Sequence, residues 1–425
     1  MRRLDARGAP ANQIADRVRR TRPTSSLPVT EVAPLVDLVR RRGDAGLREL
    51  GKRFDGVAPP ALLLDRADFR GSLRRLAPGL RSALDTAARN IVRFHRRQRP
   101  SSGYSVPIGS GRSRAGQRLV PLDRVGAYVP KGSAGYPSSV LMTVLPARIA
   151  GVGTIVVSTP PNPSTGRPPD VVLAAAALAD ADEMLVAGGA GAIAALAYGT
   201  RSIRPVEKIV GPGNRWVTAA KVLVSQIVAI DGIAGPSEVL LIADDSCSPE
   251  RLARELLAQA EHDPDAISVA CLIGSRPFGE VERTIDRLLP DPANPVRRTL
   301  AENGWLVRVD SPVGAAALAD ALAPEHLVVA TARPGRLAAR IRNAGAVFFG
   351  SGATAPLGDY ILGTNHVLPT AGSARFHGAL GVPEFLKPVT YARIERAEAR
   401  SLGAVAGIIA EAEGFRWHRE ALTQW

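Results

Sequence analysis

Two adjacent residues, Glu325 and His326, set a carboxylate beside an imidazole in the word APEHL, directly before the apolar run HLVVAT. An imidazole near its ordinary pKa accepts protons at neutral pH, and a neighbouring carboxylate can orient or activate water. Adjacent side chains point apart in regular structure, so the pair would address two faces of one bound molecule. In AQAEHDP, Gln259 and His262 stand three apart near the end of a helical pattern that Pro264 closes, and so share a face. An amide oxygen and an imidazole make half of a metal site, although the same spacing also suits an ordinary surface pair. Asp359, His366 and His418 are the further ligand types, and only the fold can bring them to that place. The chain has six His. Four of them fall in polar words bounded by Gly or Pro, or beside Glu413, which makes those words the ones to follow. Cys271, inside AISVACLIG, reads as a core residue and not as a nucleophile.

A second set of words suits a nucleotide. GAGAIA at Gly189 matches G-x-G-x-x-A between the apolar run EMLVA and a helix, where glycines let the backbone approach a pyrophosphate. The acidic residue that should follow the next strand and bind a ribose is missing, since Glu207 precedes that strand. A tight packing turn is therefore the competing reading. GPGN at Gly211 repeats the strand, Gly turn and helix, with Asn214 either capping the helix or bonding a cofactor. Two such loops in one sheet fit a nucleotide crevice.

These words must be held by a scaffold, and 425 residues with 45 % apolar content suffice for two substantial domains. From about Pro137 to Gly350, short apolar runs alternate with helical segments, the mark of a parallel sheet with crossover helices. The alternation restarts after AGPSEVLLIAD, so two α/β units follow one another, without a residue-level repeat. Ahead of them, residues 1–29 read as a polar helical arm ending in PTSSLP. Residues 30–100 read as helical with a short strand in VAPPALLLD, and YSVPIGSGRSRAGQRLVPLDRVGAYVP as a β-ribbon. The last stretch, 377–425, reads as a helical tail too small to fold alone. The fold class is thus α/β, with two Rossmann-like parallel-sheet domains, an N-terminal helical arm and a helical C-terminal tail.

Composition excludes several function classes. The formal charge is +14, but the Arg residues are spread along helix faces and come with no zinc-finger, RNP-like or basic-zipper pattern. No nucleic-acid partner is expected. No apolar stretch suits a membrane span, and the Arg-bearing N-terminus lacks a following apolar segment, so no secretory signal is expected. Two cysteines, Cys247 and Cys271, argue against a disulfide framework and fit a reducing cytoplasm.

Taken in order, YVPKG, GGAGAIAALAYG, GPGN, AGPSE, AQAEHDP, APEHL, GDYILGTNHVLPT and EGFRWH resemble the histidinol dehydrogenase family over nearly the whole chain. The resemblance implies a zinc- and NAD-dependent enzyme that oxidises L-histidinol, an amino alcohol, through L-histidinal to L-histidine. It implies Gln259, His262, Asp359 and His418 as zinc ligands. Glu325 and His326 become the acid/base pair, with His326 taking the alcohol proton and Glu325 activating water for the second oxidation. Ser237, His366 and Glu413, together with the ligands and the acid/base pair, become substrate contacts; Tyr128, Gly191 and Asn214 occupy cofactor-contact positions. It also implies a homodimer with shared active sites and an exchanged tail. The division expected on this basis is an arm (1–29), a zinc and substrate domain (30–124 and 240–376), an NAD-binding domain (125–239) and a tail (377–425). Two positions depart from the family pattern: Gly191 replaces a Gln, and Lys131 stands in VPKG where the family has VPGG. They leave open a related dehydrogenase acting on another polar alcohol. A non-catalytic basic binding protein is the third reading, opposed by the intact Glu325–His326 pair and four-ligand set.

Overall fold

The structure, a computed structural model, describes residues 1–20, 27–109, 111–132 and 135–424. Two six-stranded sheets carry it. Across the first, the strands run Leu63–Asp65, Glu183–Val186, Thr154–Thr159, Arg124–Tyr128, Lys208–Val210 and Ala229–Ile230. All pairings are parallel except that of Leu63–Asp65 with Glu183–Val186. Across the second they run Arg2–Asp5, Gly304–Val309, Ile267–Ile273, Glu238–Ala243, His326–Ala330 and Ala346–Phe349, all parallel. Counting strands within each unit gives the same order, 3-2-1-4-5, with one strand borrowed from upstream on the same edge. The two halves thus share a topology without sharing a sequence.

The strands are short runs of Val, Ile and Leu because both sheet faces are covered. Val156, Val157, Leu240, Leu241, Val328 and Val329 are fully buried. The covering helices Asp170–Leu178 and Gly189–Tyr198 are rich in alanine, which lets backbones pack closely where aromatic side chains are scarce. Pro137–Ala150 is apolar on all sides because it is enclosed by neighbouring helices, the sheet and the tail's Phe385.

Several expectations about the division need correction. Residues 30–124 were expected with 240–376, but their helices cover the first sheet. Val32, Val36 and Val39 of Val29–Arg42 join Ile193 and Ala220 in one cluster. Leu84 and Ile91 of Pro78–Arg96 join Val140 and Leu173 in another. The apolar stripes match the two faces of that sheet, and Leu63–Asp65 adds a strand to it.

The N-terminal arm is not only helical. Arg2–Asp5 pairs with Gly304–Val309, and Ile14, Ala15 and Val18 of the helix Ala11–Arg19 enter the second sheet's core. Part of the breaker PTSSLP lies outside the described residues. The tail opens with a strand, Leu386–Arg393, antiparallel to Ser113–Pro121, which in turn pairs with Gly103–Ile108. The ribbon is therefore three-stranded, and Arg124–Tyr128, expected at its end, belongs to the first sheet instead. The helices Arg396–Ala412 and Arg416–Leu422 follow as a hairpin. No helix among the described residues is long and apolar enough to cross a membrane.

Candidate active site

A cleft of about 1210 Å³ separates the units, large enough for a dinucleotide and a small substrate together. Tyr128, at the C-terminal end of its strand, and Gly211, just beyond the next, form the first wall. Between them lies the point where strand order reverses, the usual place for a ligand in an open α/β sheet. Ser237, Glu325 and His326 form the opposite wall and stand at the N-terminal ends of Glu238–Ala243 and His326–Ala330. The C-terminal edge of one sheet thus faces the N-terminal edge of the other.

On the second wall the side chains form one connected chain. Gln259, in the last turn of Pro249–Ala260, donates through Nε2 to Ser237 Oγ at 3.0 Å. Ser237 Oγ donates to Glu325 Oε2 at 2.6 Å, which also accepts the Glu238 amide at 2.9 Å. His326 Nδ1 lies 3.6 Å from the same oxygen and makes no hydrogen bond, while Nε2 lies 3.1 Å from Asp359 Oδ1. His326 is 4 % exposed, stacked on Phe348 at 6.1 Å between centroids. Burial alone would lower its pKa, but the Glu325 charge and the Asp359 hydrogen bond outweigh burial and hold it at about 10. Burial likewise pushes the Asp359 carboxyl upward, and the His326 hydrogen bond and charge reverse this, so it sits below its ordinary value. Gly358 makes the contact possible: a Cβ there would fall 2.3 Å from Phe348 Cζ, so only glycine lets Ala355–Tyr360 lie close enough to deliver Asp359.

His366 joins the site from the same loop. Its Nδ1 lies 2.8 Å from the Asp359 carbonyl oxygen, which can only accept, so Nδ1 carries the proton. Nε2 then accepts from Ser139 Oγ at 3.4 Å, a contact from the first unit's helix Pro137–Ala150. Removal from water lowers the His366 pKa.

Among the described residues no three His, Cys, Asp or Glu side chains converge in a metal-holding cluster. Gln259, His262 and Asp359 nevertheless belong to the same corner. Gln259 commits its nitrogen to Ser237 and keeps its amide oxygen as the ligating atom; His262 and Asp359 line the cleft, and the Asp359 carboxyl feels the His262 charge. One nitrogen and two oxygen donors suit a borderline divalent ion that lacks a fourth ligand. His418 and Glu413 are exposed on the tail hairpin and do not line this chain's own cleft. The structure therefore brings together ten of the twelve expected site residues and leaves these two outside.

On the first wall, Tyr128 is 3 % exposed and its hydroxyl accepts the Gly189 amide at 3.1 Å. Burial raises its pKa to about 12, so it stays a neutral donor. Asn214 Oδ1 accepts the Trp216 and Val217 amides at 3.1 Å, the capping role, leaving its amide nitrogen for a ligand. At Gly191 a Cβ would meet Leu50 Cδ1 at 3.0 Å and Leu47 Cδ1 at 3.2 Å, so the missing side chain admits the helix Asp44–Leu50. Lys131 is exposed at the rim, where its charge partly offsets the burial that raises Asp55. Sequence reasoning missed Ser139, Lys221 and Asp231, all lining the cleft. Only the Gly-flanked IDG after an apolar run pointed toward Asp231.

Comparison with known proteins identifies the family. The family model described as histidinol dehydrogenase matches residues 18–424. A histidinol dehydrogenase of Methanothermobacter thermautotrophicus is 46 % identical over 412 residues, 96 % of each chain. One of Bordetella parapertussis is 45 % identical over 386 residues, 89 % of this chain and 87 % of that one. The crystal structure of histidinol dehydrogenase from Elizabethkingia anophelis superposes with a TM-score of 0.88 at 30 % identity, covering 99 % of this chain and 97 % of that one. With the model match spanning nearly the whole chain and relatives this similar, the protein belongs to the histidinol dehydrogenase family.

Proposed function

We propose that the cleft oxidises L-histidinol to L-histidine through L-histidinal, in the cytoplasm, as a homodimer using NAD and zinc. The observation that carries this reading is the chain Gln259–Ser237–Glu325–His326–Asp359, aimed across a cleft whose far wall is a nucleotide-type crevice. Bound NAD would supply a hydride acceptor, and bound zinc a positive charge to hold substrate nitrogens. Gln259, His262 and Asp359 would hold the ion from one chain, with His418 of a second chain as the fourth ligand. Tyr128 and Asn214 would orient the cofactor through the hydroxyl proton and the amide nitrogen described above.

With its pKa held at about 10, His326 rests as an imidazolium near neutral pH. In its neutral form, which grows as pH rises, it takes the proton of the carbinol hydroxyl through Nδ1, which is buried, unpartnered and next to a carboxylate that stabilises the imidazolium formed. Glu325 orients and deprotonates the water that adds to the aldehyde before the second oxidation. Its Oε2 is anchored by Ser237 and the Glu238 amide, which fixes the direction of Oε1. Holding the aldehyde between steps requires a closed site, and the opposed sheet edges supply the walls. Steady-state NADH formation with L-histidinol tests the reading. Turnover of another polar alcohol with none of histidinol would establish instead the related dehydrogenase that Gly191 and Lys131 leave open.

A further inference from the structure

Gly211 is gripped at both its amide and its carbonyl by a buried ion pair that the chemistry above does not use. Asp231 Oδ2 accepts the Gly211 amide at 2.7 Å, and Lys221 Nζ donates to the Gly211 carbonyl oxygen at 2.6 Å and to Asp231 Oδ1 at 2.7 Å. The two side chains are 5 % and 8 % exposed, yet both reach the cleft wall. Gly211 itself has φ +114°, and a Cβ there would fall 2.1 Å from the Tyr128 carbonyl oxygen. The backbone conformation that the pair holds at Gly211 is therefore the one that seats GPGN against Tyr128. Three residues on, Asn214 caps Arg215–Val224, the helix that carries Lys221, and Ile230, just before Asp231, pairs with Ile209. Strand, turn, helix and next strand are all tied at one residue.

A buried ion pair stabilises little by itself, because desolvation offsets most of the attraction. Here it also places a carboxylate against the turn that leads into Arg215–Val224, on the wall of the cleft. Left uncompensated, that charge would repel a diphosphate.

We propose that Lys221 and Asp231 are positioning residues for the cofactor, fixing the Gly211–Asn214 turn while Lys221 cancels the Asp231 charge. This rests on the reading that a dinucleotide occupies the first sheet's crevice. NAD dissociation constants, measured by calorimetry on the zinc-loaded full-length enzyme, test it alongside steady-state kinetics. Lys221→Met should weaken NAD by about tenfold or more and Asp231→Asn by a few-fold, and the double variant should bind better than Lys221→Met alone. The KM for NAD should follow the dissociation constant, while kcat at saturating NAD falls by less than about threefold.

Arg124→Leu breaks a second ion pair, with Glu183 at the opposite end of the same sheet, and should lower the melting temperature without changing NAD affinity. Wild-type affinity in Asp231→Asn, a double variant no better than Lys221→Met, or equal weakening in Arg124→Leu would each overturn the proposal. If Lys221→Met does not fold, the isosteric Asp231→Asn decides alone. Failure of the wild-type protein to bind NAD would defeat the functional reading and this proposal with it, whereas tight NAD binding that the variants leave unchanged would defeat the proposal alone.

Discussion

At the scale of single residues, the proposed acid/base pair would divide its labour by anchoring. Glu325 is tied through one oxygen to Ser237 and a backbone amide, so its freedom lies in the other oxygen. His326 is tied through Nε2 to Asp359, so its freedom lies in Nδ1. Glu325→Gln should keep the shape and remove the base, slowing aldehyde oxidation by about 10²–10⁴-fold, the usual worth of a positioned general base. Alcohol oxidation should fall far less, because the proposed mechanism gives that proton transfer to His326. Separate assays started from histidinol and from histidinal would read the difference, and equal losses would show that the two roles are misassigned. The ligand corner makes an independent prediction. His262→Asn removes the only nitrogen donor this chain contributes to the proposed ion, so purified protein should lose its zinc with an unchanged far-ultraviolet spectrum. Full zinc occupancy in a folded His262→Asn protein would remove His262 from the ligand set.

At the scale of elements, glycines decide how closely the walls approach. Gly191→Gln would press a side chain into Leu47 and Leu50, whose methyls already stand 3.0–3.2 Å from a bare Cβ. Overpacking of this kind costs about 1–3 kcal/mol, which exceeds the helix-propensity gain on replacing glycine. Urea unfolding of Gly191→Gln should show that loss, and an equal or higher midpoint would mean that Asp44–Leu50 yields easily. The alternation of strands and helices was legible because fully buried strands are unbroken apolar runs and Gly or Pro closes each one. The strand RRLD was not legible, since three of its four residues are charged and its pairing is set by Trp305 to Arg308, some 300 positions away. LKPVTYAR was read as helical because the Arg-rich helices after it dominate the window. Its partner strand, too, lies far upstream. The site divided in the same way. Glu325 and His326 are adjacent and were visible at once, whereas Ser139 against His366 and the Lys221–Asp231 grip exist only through folding.

At the scale of the molecule, two sheets of equal topology meet by unlike edges, and that opposition gives the proposed cofactor and substrate separate walls. Within one chain the tail leaves apolar side chains uncovered. Val405, Ile408 and Ile409, spaced to share a face of Arg396–Ala412, are 58–70 % exposed, and Trp417 on the next helix is 73 % exposed. An apolar stripe of this kind calls for a partner surface. A second copy that covers it could also carry Glu413 and His418 into the corner where Gln259, His262 and Asp359 lack a ligand. Complementation tests this directly. His262→Asn and His418→Ala proteins should each be nearly inactive. A dimer holding one of each contains one wholly wild-type site, built from the His418→Ala chain's cleft and the His262→Asn chain's tail. Random exchange makes half of the dimers mixed, so activity should return to about a quarter of wild type if sites are shared across a two-fold interface. Recovery should follow the kinetics of subunit exchange, read by an affinity tag on one variant. Verified mixed dimers without regained activity would show that His418 serves its own chain or takes no part.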